Sequence, residues 1–253
     1  MTIGLSPSQV EDYRRDGYVI VRSLCPPEVA EFSMRQCEQD ARFKSGFALW
    51  SYPPADVFGM ISRVETLVTS VEQVLDGEVY HYQSKVMSKQ KGNSGAFEWH
   101  QDFGYWYRFA LLYPLLASCM ISFNGATRSN GCLQVLKGSH HLGRLDHVHV
   151  GGGQMAADPE RIPEAMRRFE LVHVEMEPGD GIIFDCNLLH GSSPNESERP
   201  RWTLICCYNA ARNDPYQDYS VTLHPRYSRL ERIGGDALLD FCRAQSLERT
   251  VQV

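Results

Sequence analysis

No stretch of the chain approaches the roughly eighteen uninterrupted apolar residues that a membrane-spanning helix requires, so no membrane partner is expected. The start, Met1-Thr2-Ile3-Gly4-Leu5-Ser6-Pro7, lacks the basic, apolar and small-residue regions of a signal peptide, and a cytoplasmic location is expected. Basic charge is not in excess either. With 25 Lys and Arg against 31 Asp and Glu the formal net charge is −6, which argues against a nucleic-acid partner, since such partners select basic patches. None of the eight cysteines (Cys25, Cys37, Cys119, Cys132, Cys186, Cys206, Cys207, Cys242) forms a CxxC pair. In a chain with no export signal they read as reduced, inert core thiols, and Asn195-Glu196-Ser197 reads as a chance match to the glycosylation sequon. Repeats, linkers and low-complexity runs are also missing. A single domain over residues 1–253 is therefore expected, and at 43% hydrophobic it has enough apolar side chain for a substantial core.

What is present divides in two. Ser6-Pro7-Ser8-Gln9 reads as a capped helix start, Asp16-Gly17 as its end, and Tyr18-Val19-Ile20-Val21 as a short strand. Pro26 and Pro27 suit the first turn of a second helix reaching roughly Phe43, and a third covers Ser62 to Leu75, closed by Asp76-Gly77. From Glu78 the period changes to short apolar or alternating runs: Val79 to Val86, Ala117 to Phe123, Cys132 to Leu136, Phe169 to Glu175, Gly181 to Phe184 and Trp202 to Tyr208. Turn signals such as Asn130-Gly131, Pro178-Gly179-Asp180 and Ser193-Pro194-Asn195 punctuate them. Helices and then many short strands predict a mainly β core (about 78–215) with α-helices packed at its amino-terminal side (about 1–77) and a carboxy-terminal extension (216–253). Gly143 to Glu164 reads as a long loop with Gly151-Gly152-Gly153, Pro159 and Pro163, for which a mobile lid is the preferred reading.

The segment Phe97-Glu98-Trp99-His100-Gln101-Asp102 carries an H-x-D pair. In an extended strand alternate side chains share a face, so His100 and Asp102 can grip one ion. His190, after Phe184-Asp185-Cys186-Asn187, offers a second imidazole. Two histidines and a carboxylate on one face of a metal form the triad preferred by non-haem Fe(II) oxygenases. An isolated H-x-D is common by chance. The run after His190, Gly191-Ser192-Ser193-Pro194-Asn195-Glu196-Ser197-Glu198-Arg199-Pro200-Arg201-Trp202-Thr203, carries more weight.

On these residues the chain resembles the phytanoyl-CoA dioxygenase superfamily of Fe(II)/2-oxoglutarate oxygenases, which includes ectoine hydroxylase. Asn130-Gly131-Cys132-Leu133-Gln134-Val135-Leu136-Lys137-Gly138-Ser139-His140 is similar to the family's N-G-x-L-x-x-x-x-G-S-H stretch, and Gly179-Asp180-Gly181 and Phe184-Asp185 to its lead-in to the distal histidine. The likeness spans roughly residues 5 to 215. It implies a double-stranded β-helix (jelly-roll, cupin-like) core, His100, Asp102 and His190 as metal ligands, and Arg201 as the clamp on the far carboxylate of 2-oxoglutarate. A planar guanidinium fork suits that task. Arg199 is the neighbouring candidate, otherwise a turn charge. Ser192 would add a hydroxyl to the same site. His81-Tyr82-Gln83-Ser84-Lys85 resembles a strand of ectoine hydroxylase and Trp106 falls where that enzyme has a tryptophan, so Gln83 and Trp106 would touch cosubstrate or substrate, with core packing the alternative for Trp106. That enzyme reads S-N after the arginine, whereas this chain reads Trp202-Thr203, so a substrate other than ectoine is implied.

Around these positions Trp99, Phe103, Tyr105, Trp106 and Tyr107 crowd the first ligands, and some of them are expected to face the pocket. Lys85, Lys89 and Lys91 read as a solvated strand edge, with contact to an acidic substrate as the alternative. His140 reads as structural, Asp185 as orienting the distal strand, and His147 and His149, beside Asp146, as loop surface or substrate contacts. The resemblance implies Fe(II), 2-oxoglutarate and O2, with ascorbate stimulatory, and release of succinate and CO2 as a small free metabolite is hydroxylated by a monomer or homodimer. Asp102, where halogenases of this type carry a small residue, favours hydroxylation over halogenation. Desaturation, cyclisation and C–N or C–P oxidation use the same machinery. A metal-binding cupin-type isomerase or sugar-binding module, and a catalytically silent member, are the readings from other classes; neither requires an arginine clamp after the distal histidine.

Overall fold

Local chemistry sets the first elements. Ser6 and Gln9 exchange side-chain and backbone hydrogen bonds in a capping box that starts α1 (Pro7–Asp16), and Gly17, at φ +82°, ends it. The structure, a computed structural model, describes residues 3–92, 97–151 and 154–251. After α1 come β1 (Tyr18–Val21), α2 (Pro27–Gln39), β2 (Phe47–Trp50), α3 (Val57–Ile61) and α4 (Glu65–Leu75). The helix expected from Ser62 begins three residues later, because Asp56 caps a separate short helix in front of it. Next in the chain are β3 (Val79–Lys89), β4 (Phe97–His100), α5 (Asp102–Trp106), β5 (Leu116–Ser122), β6 (Leu133–Leu136), β7 (His147–Gly151), β8 (Gln154–Ala157), α6 (Arg161–Arg168), β9 (Leu171–Val174), β10 (Gly181–Asp185), β11 (His190–Ser192), β12 (Arg201–Ala210) and α7 (Gly235–Val251).

The strands form a six-stranded sheet, β1-β10-β5-β12-β3-β2, and a four-stranded sheet, β4-β11-β6-β9, with every pairing antiparallel. Strands β3 to β6 and again β9 to β12 alternate between the two sheets, which is the winding of a double-stranded β-helix. Strand β12 shows how this builds a site. Trp202, Leu204, Cys206 and Tyr208 pack into the apolar cluster shared with α2, α3, α4 and α7. The alternate residues Arg201, Thr203 and Ile205 line a cavity between the sheets. No helix among the described residues is long and apolar enough to cross a membrane.

Three local expectations are corrected by this architecture. His100 ends β4 but Asp102 opens α5, so the H-x-D pair is a strand-to-helix corner rather than two positions on one strand face. Two of the three lysines of the basic stretch are not on a sheet edge: Lys85 and Lys89 belong to β3, which lies between β12 and β2, and Lys89 is 2% exposed, whereas Lys91, past the strand, is exposed and pairs with Glu198. The segment 143–164 is not one long loop but the hairpin β7–β8 and the start of α6; Gly152 and Gly153 at its tip lie outside the described residues.

Candidate metal centre

His190 and His100 face each other as register partners on β11 and β4, which brings their rings to a centroid separation of 4.1 Å. The turn into α5 delivers Asp102 to the same point, with Oδ1 at 4.0 Å from His100 Nε2 and 3.9 Å from His190 Nε2. The rest of each side chain is already committed. Nδ1 of His100 donates to Glu98 O (2.7 Å) and Nδ1 of His190 to Leu188 O (2.9 Å); a carbonyl only accepts, so both rings present Nε2 as a lone pair. Ser118 Oγ donates to Asp102 Oδ2 (2.6 Å), leaving Oδ1 turned toward the imidazoles. Burial lowers the proton affinity of His100 and His190, in His100 helped by its histidine neighbour. Burial opposes ionisation of Asp102, but His190, Lys85 and His100 outweigh it and hold the carboxyl below its ordinary range. Two neutral imidazoles and one carboxylate, each oriented from behind, make a donor set for a divalent cation.

Gln101 and Gly104, which the sequence did not mark, hold the corner in place together with His147, which read there as loop surface or a substrate contact. The Gln101 side chain donates to Gly143 O and Asn187 O (2.7 Å each) and accepts from Leu145 N (2.7 Å), and its backbone N donates to His147 Nε2 (2.9 Å). His147 Nδ1 donates in turn to Leu145 O (3.0 Å), so this ring braces the H-x-D turn from outside. Gly104 is required by that brace, since a Cβ there would stand 2.1 Å from the His147 ring. Tyr105 Oη bonds both the oxygen and the nitrogen of Met155 (2.7 and 2.9 Å), fastening the β7–β8 hairpin over the centre. Asp185 accepts from Asn187 N (2.7 Å) on the approach to His190, and burial raises its carboxyl to about 6. His140 accepts no metal role; its Nε2 meets Arg14 O.

The triad forms one side of a cavity of about 420 Å³, which Gln83, Tyr105, Trp106, Ser192, Arg201 and Thr203 also line. Trp99 and Phe103 do not line it: Trp99 packs on a side cluster with Leu136 and Leu189, and Phe103 is interior core against Tyr107. At the end away from the triad, Arg201 and Lys89 are register partners, 5% and 2% exposed. Arg201 Nη1 donates to Gly131 O (2.5 Å) while its buried Nε has no partner. That carbonyl is presented by a turn with Gly131 at φ +69°, where a Cβ would stand 2.4 Å from Ser193 O. Lys89 Nζ donates to Ser192 Oγ (2.6 Å). Among the described residues no carboxylate pairs with either cation. Burial, and then the charge of Arg201, lowers the Lys89 ammonium to about 7, and burial lowers Arg201 to about 10. Two buried like charges on paired positions, one of them with an unused guanidinium N–H, fit an anionic group with two oxygens. Arg199 stands on the exposed turn. The eight cysteines are all buried and free.

The chain as a whole is similar to known proteins. The chain is 30% identical to the L-proline trans-4-hydroxylase of Streptomyces griseoviridis over 63% of its own length and 65% of that relative's, so the match spans just under two thirds of that protein. It is 26% identical to the ectoine dioxygenase of Sphingopyxis alaskensis, covering 96% of this chain and 88% of the relative. In three dimensions it superposes on EctD from S. alaskensis with 2-oxoglutarate and 5-hydroxyectoine at a TM-score of 0.77, with 23% identity and coverage of 91% and 88%. The epimerase SnoN in complex with Fe3+, alpha ketoglutarate and nogalamycin RO superposes at 0.68, with 18% identity and coverage of 90% and 95%. Residues 13–203, which contain the triad and both buried cations, match the family model of phytanoyl-CoA dioxygenase, and the chain belongs to that family.

Proposed function

We propose that the protein is an Fe(II)- and 2-oxoglutarate-dependent oxygenase that hydroxylates a small molecule with release of succinate and CO2. The observation that carries this reading is a cavity with three converging metal donors on one side and, at the other end, a buried guanidinium with an unbonded Nε beside a second cation. The relatives named for proline and ectoine oxidation, and the solved folds holding iron and 2-oxoglutarate, support the same class.

When bound, iron and 2-oxoglutarate supply O2 activation. The chain's own part is positional. His100, Asp102 and His190 hold the cation, and Ser118 keeps one carboxylate oxygen turned toward it. Arg201 and Lys89, the latter bonded to Ser192, hold the far carboxylate of the cosubstrate. Trp106, Tyr105 and Phe184 keep water from the space next to the triad, where a substrate C–H bond would lie. Thr203 lines the cavity at the place where ectoine hydroxylase carries an asparagine, while Trp202 is turned into the helical layer, which argues for a substrate other than ectoine. A second outcome on the same machinery, epimerisation or ring closure, is favoured by one observation. Solved structures similar in fold include the epimerase SnoN and, at a TM-score of 0.65 and 18% identity, the carbocyclase SnoK.

The test is succinate release from 2-oxoglutarate with Fe(II) and ascorbate across amino acids, amines, phosphonates and acyl thioesters. Each of His100→Ala, Asp102→Ala and His190→Ala is expected to abolish iron binding and turnover. Full iron affinity and activity in any of the three would remove that residue from the ligand set.

A further inference from the structure

One cation in the cavity has no task in the proposed chemistry. Strand β3 turns Gln83, Lys85 and Met87 toward the cavity, with Lys89 next on the same side of the strand. The register sets Arg201 opposite Lys89, Thr203 opposite Met87 and Ile205 opposite Lys85. The two basic positions on β3 are four residues apart, which is about 13 Å of strand at ~3.3 Å per residue. Lys89 therefore shares the end occupied by Arg201, and Lys85 stands at the other. Among the described residues the Lys85 ammonium has no hydrogen bond and no ion pair, although it is close enough to the triad to act electrostatically on Asp102, His100 and His190.

The surroundings of Lys85 offer no internal solution. Its neighbours across the sheet are Ile205 and Leu49, both apolar. Among the described residues Asp102 is the one acidic side chain that lines the cavity, and the ligand set already uses it. A divalent ion and a dicarboxylate cancel each other's charge, so binding both leaves the positive excess of the cavity in place. The wall beyond Lys85 is aromatic: Trp106, then Phe109 stacked on His224 at 3.4 Å, with His224 Nδ1 tied to Tyr82 Oη at 3.0 Å.

We propose that Lys85 anchors the carboxylate of the substrate, so that the protein acts on small carboxylic acids whose apolar body lies against Trp106 and Phe109. This rests on the oxygenase reading and adds the substrate class. Lys85 then positions: with the acid head fixed on β3 and the body on the aromatic wall, a carbon between them is held beside the triad.

The experiment uses anaerobic protein loaded with Fe(II) and 2-oxoglutarate, and reads the shift of its metal-to-ligand absorption band. The probes are butyrate, benzoate and cyclohexanecarboxylate, each beside its neutral amide. Wild-type protein is expected to bind at least one acid about tenfold or more tightly than its amide, as a charge-assisted contact would give. In Lys85→Met that preference should vanish, and in Lys85→Glu benzylamine should bind better than benzoate, while 2-oxoglutarate affinity stays within about threefold of wild type. The proposal is overturned if no acid outbinds its amide in the wild type, or if the preference survives in Lys85→Met. It is equally overturned if Lys85→Met weakens 2-oxoglutarate as much as Arg201→Ala does, because Lys85 would then serve the cosubstrate. A wild-type protein that takes up no 2-oxoglutarate would instead sink the underlying reading, a result seen before any acid is added.

Discussion

Removing the Arg201 side chain is the perturbation with the most to say about the cosubstrate end of the cavity. The guanidinium is 5% exposed, spends Nη1 on Gly131 O and keeps Nε unbonded, so its pairing surface for a carboxylate is pre-formed and desolvated. Truncating one partner of a buried, hydrogen-bonded charge pair costs about 2–5 kcal/mol. At tenfold per ~1.4 kcal/mol, 2-oxoglutarate affinity in Arg201→Ala should fall on the order of thirtyfold or more. The loss belongs at the lower part of that range, because Lys89 remains and no longer feels the charge of Arg201 that helps lower its ammonium. Arg201→Lys should be intermediate, keeping the charge and losing the fork. Arg199→Ala, on the exposed turn, should stay within a few-fold of wild type, and iron affinity should survive in all three. The assay is a 2-oxoglutarate titration of each anaerobic Fe(II) protein. Unchanged affinity in Arg201→Ala would refute the clamp and revive the cupin-type reading.

The geometry sets three further outcomes. Lys89 sits at about 7 before the dicarboxylate arrives, and a carboxylate beside it raises that value, so binding takes up a proton; 2-oxoglutarate affinity should be flat about one unit or more below pH 7, begin to fall near it, and drop by up to about tenfold per pH unit above it. Lys89→Met should bind more weakly at pH 7 with no such slope, and a wild-type affinity that rises with pH would contradict the argument. Ser118→Ala removes the 2.6 Å donation to Asp102 Oδ2 and should weaken iron binding by about 10–100-fold without unfolding the sheet, as a metal titration beside a circular dichroism spectrum would check. Gly104→Ala sets a methyl 2.1 Å from the His147 ring, so the ring must leave Gln101 N; iron affinity should drop, and an unchanged affinity would show that the His147 brace does not position Asp102.

How much of this is legible in the sequence depends on whether one segment or several make the feature. The helices and inner strands can be read because a capping box, an αL glycine and period-two runs are local signals, and they fall within a few residues of α1, β1, β5, β10 and β12. The H-x-D motif and the distal histidine are visible as side chains of the right type, but strand periodicity misplaces Asp102. The chain turns into α5 at Gln101, whose side chain bonds Gly143, Leu145 and Asn187, all far away in sequence. Lys89 is hidden for a related reason. A lysine every few residues along a strand reads as a wet edge until the sheet order puts β12 and β2 on either side of it, and β2, four residues long, announces itself weakly. The β7–β8 hairpin reads as loop because glycines and prolines surround it, while the bonds from Tyr105 to Met155 that fasten it come from another element.

In the proposed function one cavity holds a ferrous ion on His100, Asp102 and His190 and a 2-oxoglutarate molecule between that ion and Arg201. The most direct measurement of this is the visible absorption of the anaerobic protein, reconstituted with Fe(II) and titrated with 2-oxoglutarate. A metal-to-ligand charge-transfer band should appear that saturates at one 2-oxoglutarate per chain, is abolished by Asp102→Ala, and needs a higher 2-oxoglutarate concentration in Arg201→Ala. A protein that binds the metal yet develops no band at any 2-oxoglutarate concentration would contradict the proposed function.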